Sequence, residues 1–333
     1  MYIVAEIGVN HDGSLEKAIK LIDAAVECGC NAVKFQSFYA NRLVSLNAPK
    51  VNYQLRSSSE SESHYEMIKR LEFNDDKLEK ALQHANHKKI DFITTPYDPL
   101  SAEEAYKIGV RMFKTASADL GDQFIHKCLN SFNTKKIILA TGMSSINEVQ
   151  DCLVNYSSIN PTILHCVSAY PCPDSDINAR CITTMKNSLP NNEIGFSDHS
   201  EGITSAIICA SIGVRFFERH FTLCRSDQGP DHYASSDIKE MKSYVEELRR
   251  VENILGSESK KCRESEIGMS KISKKGIVAK KDLKIGDYIN YENIYAIRPA
   301  IDGISIDQLN QILGRKVIKS IIRGKFIKWE NLS

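Results

Sequence analysis

The chain has 333 residues, room for two domains of about 150 residues each or for one large barrel with an appendage. Hydrophobic residues make up 42% and charged residues 26%, a globular balance that excludes a disordered chain, a collagen or a coiled coil. With 43 basic against 42 acidic residues the net charge is +1, which supplies no broad attraction for nucleic acid or an anionic membrane, so any anionic ligand must be met by a local site.

In chain order, the opening Met1-Tyr2-Ile3-Val4-Ala5-Glu6 lacks the basic and apolar regions of a signal peptide. No later apolar run reaches the roughly 18 residues that span a bilayer, so a cytoplasmic protein is expected. Residues 2–6 form the first of eight β-branched or apolar runs, followed by 31–35, 90–94, 111–115, 136–140, 162–166, 193–197 and 214–219. Amphipathic stretches such as 15–28, 75–89, 145–155 and 202–212 separate them, and residues 237–255 predict a long closing helix. Eight strand–helix units in about 255 residues have the size of an α/β fold of the (β/α)8 TIM-barrel type, here residues 1–256.

The second loop, residues 37–62, is longer than a barrel needs and carries Ser57-Ser58-Ser59-Glu60-Ser61-Glu62-Ser63, either a solvated insertion or a lid. Residues 257–272 are polar and read as a linker. Beyond them, 273–333 predict a small β-rich domain. Its strand-like runs Gly276-Ile277-Val278-Ala279 and Lys316-Val317-Ile318-Lys319-Ser320-Ile321 are punctuated by turn signals at Lys284-Ile285-Gly286-Asp287 and Arg323-Gly324-Lys325. Ten scattered cysteines without a C-x-x-C pair read as reduced structural thiols.

In such a barrel the carboxyl ends of the strands converge on the functional face. Here every strand ends in polar chemistry: Glu6 with Asn10 and His11, Lys34 with Gln36, Thr94-Thr95, Lys114 with Ser117 and Asp119, Thr141, His165 with Ser168 and Tyr170, Ser197-Asp198-His199, and Glu218-Arg219-His220. His199 and His220 end adjacent strands, which lie about 4.8 Å apart, so the two imidazoles can share one cation with Glu6 on the next strand of a closed barrel. Nitrogen and oxygen ligands suit Mn2+, and Mg2+, Zn2+, Fe2+ or Co2+ stay open. Lys34 and Lys114 need anionic partners if buried. These are either Glu6 and Asp119 or a small dianion cradled with Thr95 and Ser117. A metal beside a compact phosphate or carboxylate pocket implies lyase, aldol or phosphoryl-type chemistry.

The motifs Ala5-Glu6-Ile7-Gly8-Val9-Asn10-His11-Asp12-Gly13, Val33-Lys34-Phe35-Gln36, Thr94-Thr95-Pro96, Ala140-Thr141-Gly142-Met143, Gly195-Phe196-Ser197-Asp198-His199, Glu218-Arg219-His220-Phe221 and Gly229-Pro230-Asp231-His232 resemble the sialic acid synthase family. Ile297-Arg298-Pro299 and the C-terminal region resemble its antifreeze-like SAF (β-clip) domain. The resemblance implies condensation of phosphoenolpyruvate with the open-chain aldehyde of an N-acylated hexosamine, giving a nine-carbon 2-keto acid and phosphate by C–O cleavage, with a divalent ion, most often Mn2+, polarising the aldehyde. It implies His199 and His220 as metal ligands and Glu6 as the residue that orients or deprotonates the metal-associated water. Lys34, Thr95, Lys114, Ser117 and Ser197 would hold phosphoenolpyruvate, and Gln36, Asp119, Tyr170 and Asp231 the sugar. Arg298 would reach the sugar's N-acyl group from the partner chain of a domain-swapped homodimer. Ala140, Ser168 and Asp119 stand where some members have serine, asparagine and glutamate. Val33-Lys34-Phe35-Gln36-Ser37-Phe38, Tyr53-Gln54 and Tyr65-Glu66-Met67 look like the branch that makes legionaminic acid from a 2,4-diacetamido-trideoxyhexose. A metal-dependent aldolase using pyruvate, or a non-enzymatic carbohydrate- or ice-binding protein, are the competing readings.

Overall fold

A computed structural model describes residues 1–49, 62–156 and 158–333. The serine-rich part of the second loop, residues 50–61, lies outside the described residues. The chain divides into two compact units, Met1–Gly256 and Ser257–Ser333.

The first unit is a closed barrel of eight parallel strands in sequence order. They are β1 (Tyr2–Gly8), β2 (Ala32–Ser37), β3 (Asp91–Pro96), β4 (Met112–Thr115), β5 (Lys136–Ala140), β6 (Thr162–His165), β7 (Ile194–Asp198) and β8 (Phe216–His220). All eight sequence-predicted strands are present, with ends displaced by at most two residues. Helices cover the sheet, and their apolar stripes follow the helical period. In Ile238–Leu255 the buried residues are Met241, Tyr244, Val245, Leu248 and Val251, and the helix starts at a capping box of Asp237 and Glu240.

Inside the barrel the strand period of two sets the site. An apolar floor is formed by Val4, Ala32, Ile93, Met112, Ile138, Leu164 and Phe216. Gly195 completes it, because a Cβ there would lie 2.5 Å from Leu164 and 2.8 Å from the Phe216 carbonyl. Two residues along each strand the side chain again points inward. Those positions are Glu6, Lys34, Thr95, Lys114, Ala140, Cys166, Ser197 and Glu218, and all eight line one cavity above the floor.

In the second unit β9 (Gly276–Ala279) pairs antiparallel with β10 (Ile294–Ile297). Its core gathers Ile277, Leu283, Ile289, Ile312, Val317, Ile321 and Ile327. Gly276 and Gly303 both pack on the Phe326 side chain, where an added Cβ would come within 2.7 Å. The expected turns carry Gly286 and Gly324 at positive φ. The run 316–321 pairs only through isolated bridges rather than as a strand. The predicted linker is partly helical: a 3-10 turn, Glu264–Glu266, leads into the helix Ile267–Ser273, whose lack of any buried residue explains why no apolar period announced it.

Candidate active site

The cavity above the floor has a volume of about 360 Å³. On β2 to β4 the buried Lys34 donates to Thr95 Oγ1 at 3.0 Å and pairs with Glu6 at 2.7 Å. Lys114, also buried, pairs with Glu218 at 3.1 Å and not with Asp119. Glu218 reaches toward Lys34 as well, at 4.0 Å, and accepts from Ser197 Oγ at 3.1 Å. Burial raises the Glu218 carboxyl, but Lys114 and Lys34 outweigh it and hold the group low. Glu6 is pushed up by burial despite the pull of Lys34, so of the two acids it is the one that takes a proton.

Beside Lys114, the Gly142 N–H donates to Ser117 Oγ at 3.0 Å. A Cβ at Gly142 would lie 2.5 Å from Ser168 Oγ and 2.9 Å from Ser117 Oγ, so only glycine lets this N–H and the two hydroxyls converge. The result is a donor-rich corner next to a lysine, suited to phosphate or carboxylate oxygens. Gly8 plays a similar part on β1. It has φ +56°, and a Cβ would approach Glu6 Oε1 to 3.2 Å and Gln36 Nε2 to 3.3 Å. The β1–β2 register shifts between Glu6 and Gly8, which brings Gln36 onto Glu6 with a 3.3 Å hydrogen bond.

Across the cavity, the His199 and His220 rings lie 5.6 Å apart, with Tyr170 against both. His199 Nδ1 donates to the Val167 carbonyl at 2.7 Å, which leaves the lone pair on Nε2. His220 Nδ1 is buried without a hydrogen-bond partner, 3.9 Å from the Asp231 carboxylate. Burial lowers both imidazole pKa values, with the neighbouring lysines adding to the effect, so both rings are neutral. Burial, with Glu6 nearby, pushes Asp231 up to about 6. Two neutral imidazoles, one locked in its tautomer and one with an orphaned nitrogen, beside a carboxylate, fit a divalent ion.

Asp231 is delivered by the loop after β8. Ser235 Oγ donates to the Asp231 carbonyl at 2.6 Å, Asn10 donates to Ser235 at 2.8 Å, and the fully buried His232 links Thr222 to Asp12. Asp12, Asp227 and His232 form an acidic cluster, but Lys17 already lies 2.6 Å from both carboxylates. Opposite the polar ring stands an apolar wall of Val9, Phe38, Leu43, Val44, Met67, Ile68, Leu71 and Tyr97, contributed largely by the helices Ala40–Leu43 and His64–Arg70.

Most of the sequence-predicted residues meet here: Glu6, Lys34, Gln36, Thr95, Lys114, Ser117, Tyr170, Ser197, His199, His220 and Asp231 all line the cavity. Asp119 lies on the 3-10 turn Ser117–Asp119 and is not among the lining residues; its carboxyl is raised to about 6 by burial and by Asp122. Arg298 belongs to the second unit. Some polar strand ends are structural: His165 bonds the Ile177 carbonyl at 2.7 Å, and Asp198 turns outward to Arg219. Glu218, which the sequence places at a strand end without a role, and Cys166, which it does not single out, also line the cavity, both two positions after a floor residue, at the same period as Glu6 and Lys34.

A closed parallel barrel with one polar ring of acids, lysines and histidines at its carboxyl face defines an enzyme of the (β/α)8 class. Residues 21–260 match the model of the NeuB family, and residues 274–333 match the SAF domain. The chain is 34% identical to the N,N'-diacetyllegionaminic acid synthase of Campylobacter jejuni over 98% of each chain. It is 28% identical to human N-acetylneuraminate-9-phosphate synthase over 96% of this chain and 89% of the human one. The crystal structure of N-acetylneuraminic acid (sialic acid) synthetase from Leptospira borgpetersenii, 29% identical, superposes with a TM-score of 0.70 over 80% of this chain and 89% of that chain. The chain belongs to the NeuB family of sialic acid synthases, phosphoenolpyruvate-dependent condensing transferases of nonulosonic acid biosynthesis. No helix among the described residues is long and apolar enough to cross a membrane.

Proposed function

We propose that this enzyme condenses phosphoenolpyruvate with the open-chain aldehyde of a 2,4-diacetamido-trideoxyhexose, forming a nine-carbon 2-keto acid of the legionaminic type and releasing phosphate by C–O cleavage. The observation that carries it is the division of one cavity into a lysine and hydroxyl corner, a pair of neutral histidines, and an apolar wall. Lys34, Lys114, Thr95, Ser117, Ser197 and the Gly142 N–H bind the phosphate and carboxylate of phosphoenolpyruvate. As the anion enters, the two lysines exchange Glu6 and Glu218 for substrate oxygens. Glu6, with its raised affinity for protons, is then the group that holds or accepts one at the reacting carbon's attacking water.

His199 and His220 would hold the divalent ion, with Asp231 beside them. Mn2+ is our assignment, with Mg2+ or Co2+ as substitutes, and when bound it supplies Lewis acidity toward the aldehyde oxygen. Gln36, Tyr170 and Asp231 orient the sugar, and Arg298 of a partner chain completes the acyl pocket in a domain-swapped homodimer. The apolar wall favours an acceptor whose far end has lost hydroxyls. The Campylobacter and Legionella relatives named N,N'-diacetyllegionaminic acid synthase, 34% and 33% identical, support that choice over N-acetylmannosamine. Ten unpaired cysteines suit a reducing compartment, and we place the enzyme in the cytoplasm.

The test is phosphate release from phosphoenolpyruvate and Mn2+ with a panel of acylated hexosamines. The 2,4-diacetamido-trideoxy acceptor should exceed N-acetylmannosamine by about 10- to 100-fold in kcat/KM, the range an apolar pocket gives against added hydroxyls. Preference for N-acetylmannosamine would overturn the acceptor assignment, and no release with any of them would overturn the reaction.

A further inference from the structure

Directly behind the two histidines, on the outer side of the same two strands, lies a buried ion pair. Asp198 and Arg219 are partners in the β7–β8 register, each one residue before a histidine. Strand alternation turns them toward the surrounding helices while Ser197, Glu218 and the histidines face the cavity. Asp198 is 1% and Arg219 8% exposed. Arg219 donates to Asp198 Oδ2 at 2.9 Å and, through Nε, to Ser236 Oγ at 2.5 Å. Asp198 Oδ1 also accepts from the Ser200 N–H at 2.9 Å and from Ser200 Oγ at 2.6 Å. The Tyr244 ring stacks 5.0 Å from the guanidinium.

The network holds the backbone at both histidines. Ser236, held by Arg219, also donates its N–H to the His220 carbonyl at 2.9 Å, and Asp198 fixes the Ser200 N–H immediately after His199. Elsewhere the outer strand face is mostly apolar, with Ala5, Val33, Phe35, Phe113, Leu139, Ile163, Phe196 and Phe217 packed in the sheet–helix core. An apolar pair of the same size would join sheet to helices as well, since desolvation offsets much of what a buried ion pair gains. What such a pair adds is direction: it fixes the separation and slide of β7 against β8 at the point where each strand hands over to its histidine.

We propose that Asp198 and Arg219 are positioning residues that set the His199–His220 spacing and, through it, the affinity of that pair for a divalent ion. The proposal rests on the reading that the two histidines are the metal ligands, and its test keeps the two apart. Mn2+ and phosphoenolpyruvate are titrated separately by calorimetry into metal-stripped protein, with thermal midpoints measured in parallel. Pulsed electron paramagnetic resonance counts the imidazole nitrogens coupled to bound Mn2+.

In Asp198→Asn, Mn2+ affinity should fall by about tenfold or more, the range seen when groups behind metal ligands are removed. Phosphoenolpyruvate affinity should fall by no more than about threefold, because of its proposed ligands only Ser197 lies beside Asp198, while Lys34, Thr95, Lys114 and Ser117 lie on or after the far strands. The resonance signal should report fewer than the two coupled imidazoles of the wild type. A folded Asp198→Asn protein with wild-type Mn2+ affinity overturns the proposal, as does parallel loss of both ligands with the thermal midpoint, which marks a merely structural role. If Asp198→Asn does not fold, Arg219→Lys decides on the same scale: it keeps the charge but cannot hold Asp198 and Ser236 together, so a Mn2+ loss of about threefold or more supports positioning and an unchanged affinity refutes it. Wild-type protein that binds no Mn2+, or that binds it undiminished after His220→Ala, defeats the histidine reading itself.

Discussion

Two arcs of one ring handle charge in opposite ways. Along β2 to β5, Lys34 and Lys114 are buried with a carboxyl group at hand for each, Glu6 at 2.7 Å from the neighbouring strand and Glu218 at 3.1 Å from across the barrel. Along β7, β8 and β1, His199 and His220 are equally buried, yet the nearest carboxylate to His220, Asp231, is 3.9 Å off, and both imidazoles are neutral. Both arcs stand on the same apolar floor and are generated by the same strand period. The difference is the distance to a counter-charge, and in the function we propose it suits one arc to an anion and the other to a cation.

Substitutions that remove one arc should spare the other. The largest effect is expected from His220→Ala, which should cut metal-dependent turnover by about 10³-fold or more while phosphoenolpyruvate still binds. Retained metal affinity in that variant would dissolve the division. Lys114→Met should weaken phosphoenolpyruvate binding by about a hundredfold, since it also leaves Glu218 buried and unpaired, with Mn2+ affinity unchanged in calorimetry. Arg298→Ala should raise the acceptor KM by about tenfold and leave the phosphoenolpyruvate KM alone; unchanged acceptor kinetics would count against a partner-chain contribution. Met67→Gln should narrow the preference for the deoxygenated acceptor by a few-fold, read from paired kcat/KM values.

A separate prediction, on stability rather than on either arc, concerns the loop after β1. Burial holds the His11 imidazole down at about 3, where its Nδ1 accepts from the Gly13 N–H. The unfolded chain protonates His11 near its ordinary value of about 6.5 and the folded one does not, so this contribution to stability is intact above that pH. It is lost between about 6.5 and 3 at up to about 1.4 kcal/mol per pH unit. Thermal midpoints measured down that range should fall, and less so in His11→Gln if the mutant folds.

The barrel was legible because each strand–helix unit is written locally, in β-branched runs followed by amphipathic stretches. The lysines and histidines were legible because a charged or imidazole side chain at a strand end is conspicuous by itself. Glu218 was not, since its importance lies in what faces it: Lys114 from β4 and Lys34 from β2 approach it only when the barrel closes. Asp198 misled for a related reason. It ends a strand as the site residues do, but falls on the odd face, and only the floor residues fix which parity points inward. The apolar wall was hidden because Leu43, Met67 and Ile68 come from two short helices flanking residues 50–61, whose serine-rich sequence dominates that loop.

The most direct test of the central claim is a reaction of phosphoenolpyruvate labelled with oxygen-18 at the bridging position, run with Mn2+ and the 2,4-diacetamido-trideoxyhexose. All the label should leave in inorganic phosphate, one equivalent for each nine-carbon 2-keto acid formed. Label retained in the keto acid, or product formed equally well from pyruvate without phosphate release, would contradict it.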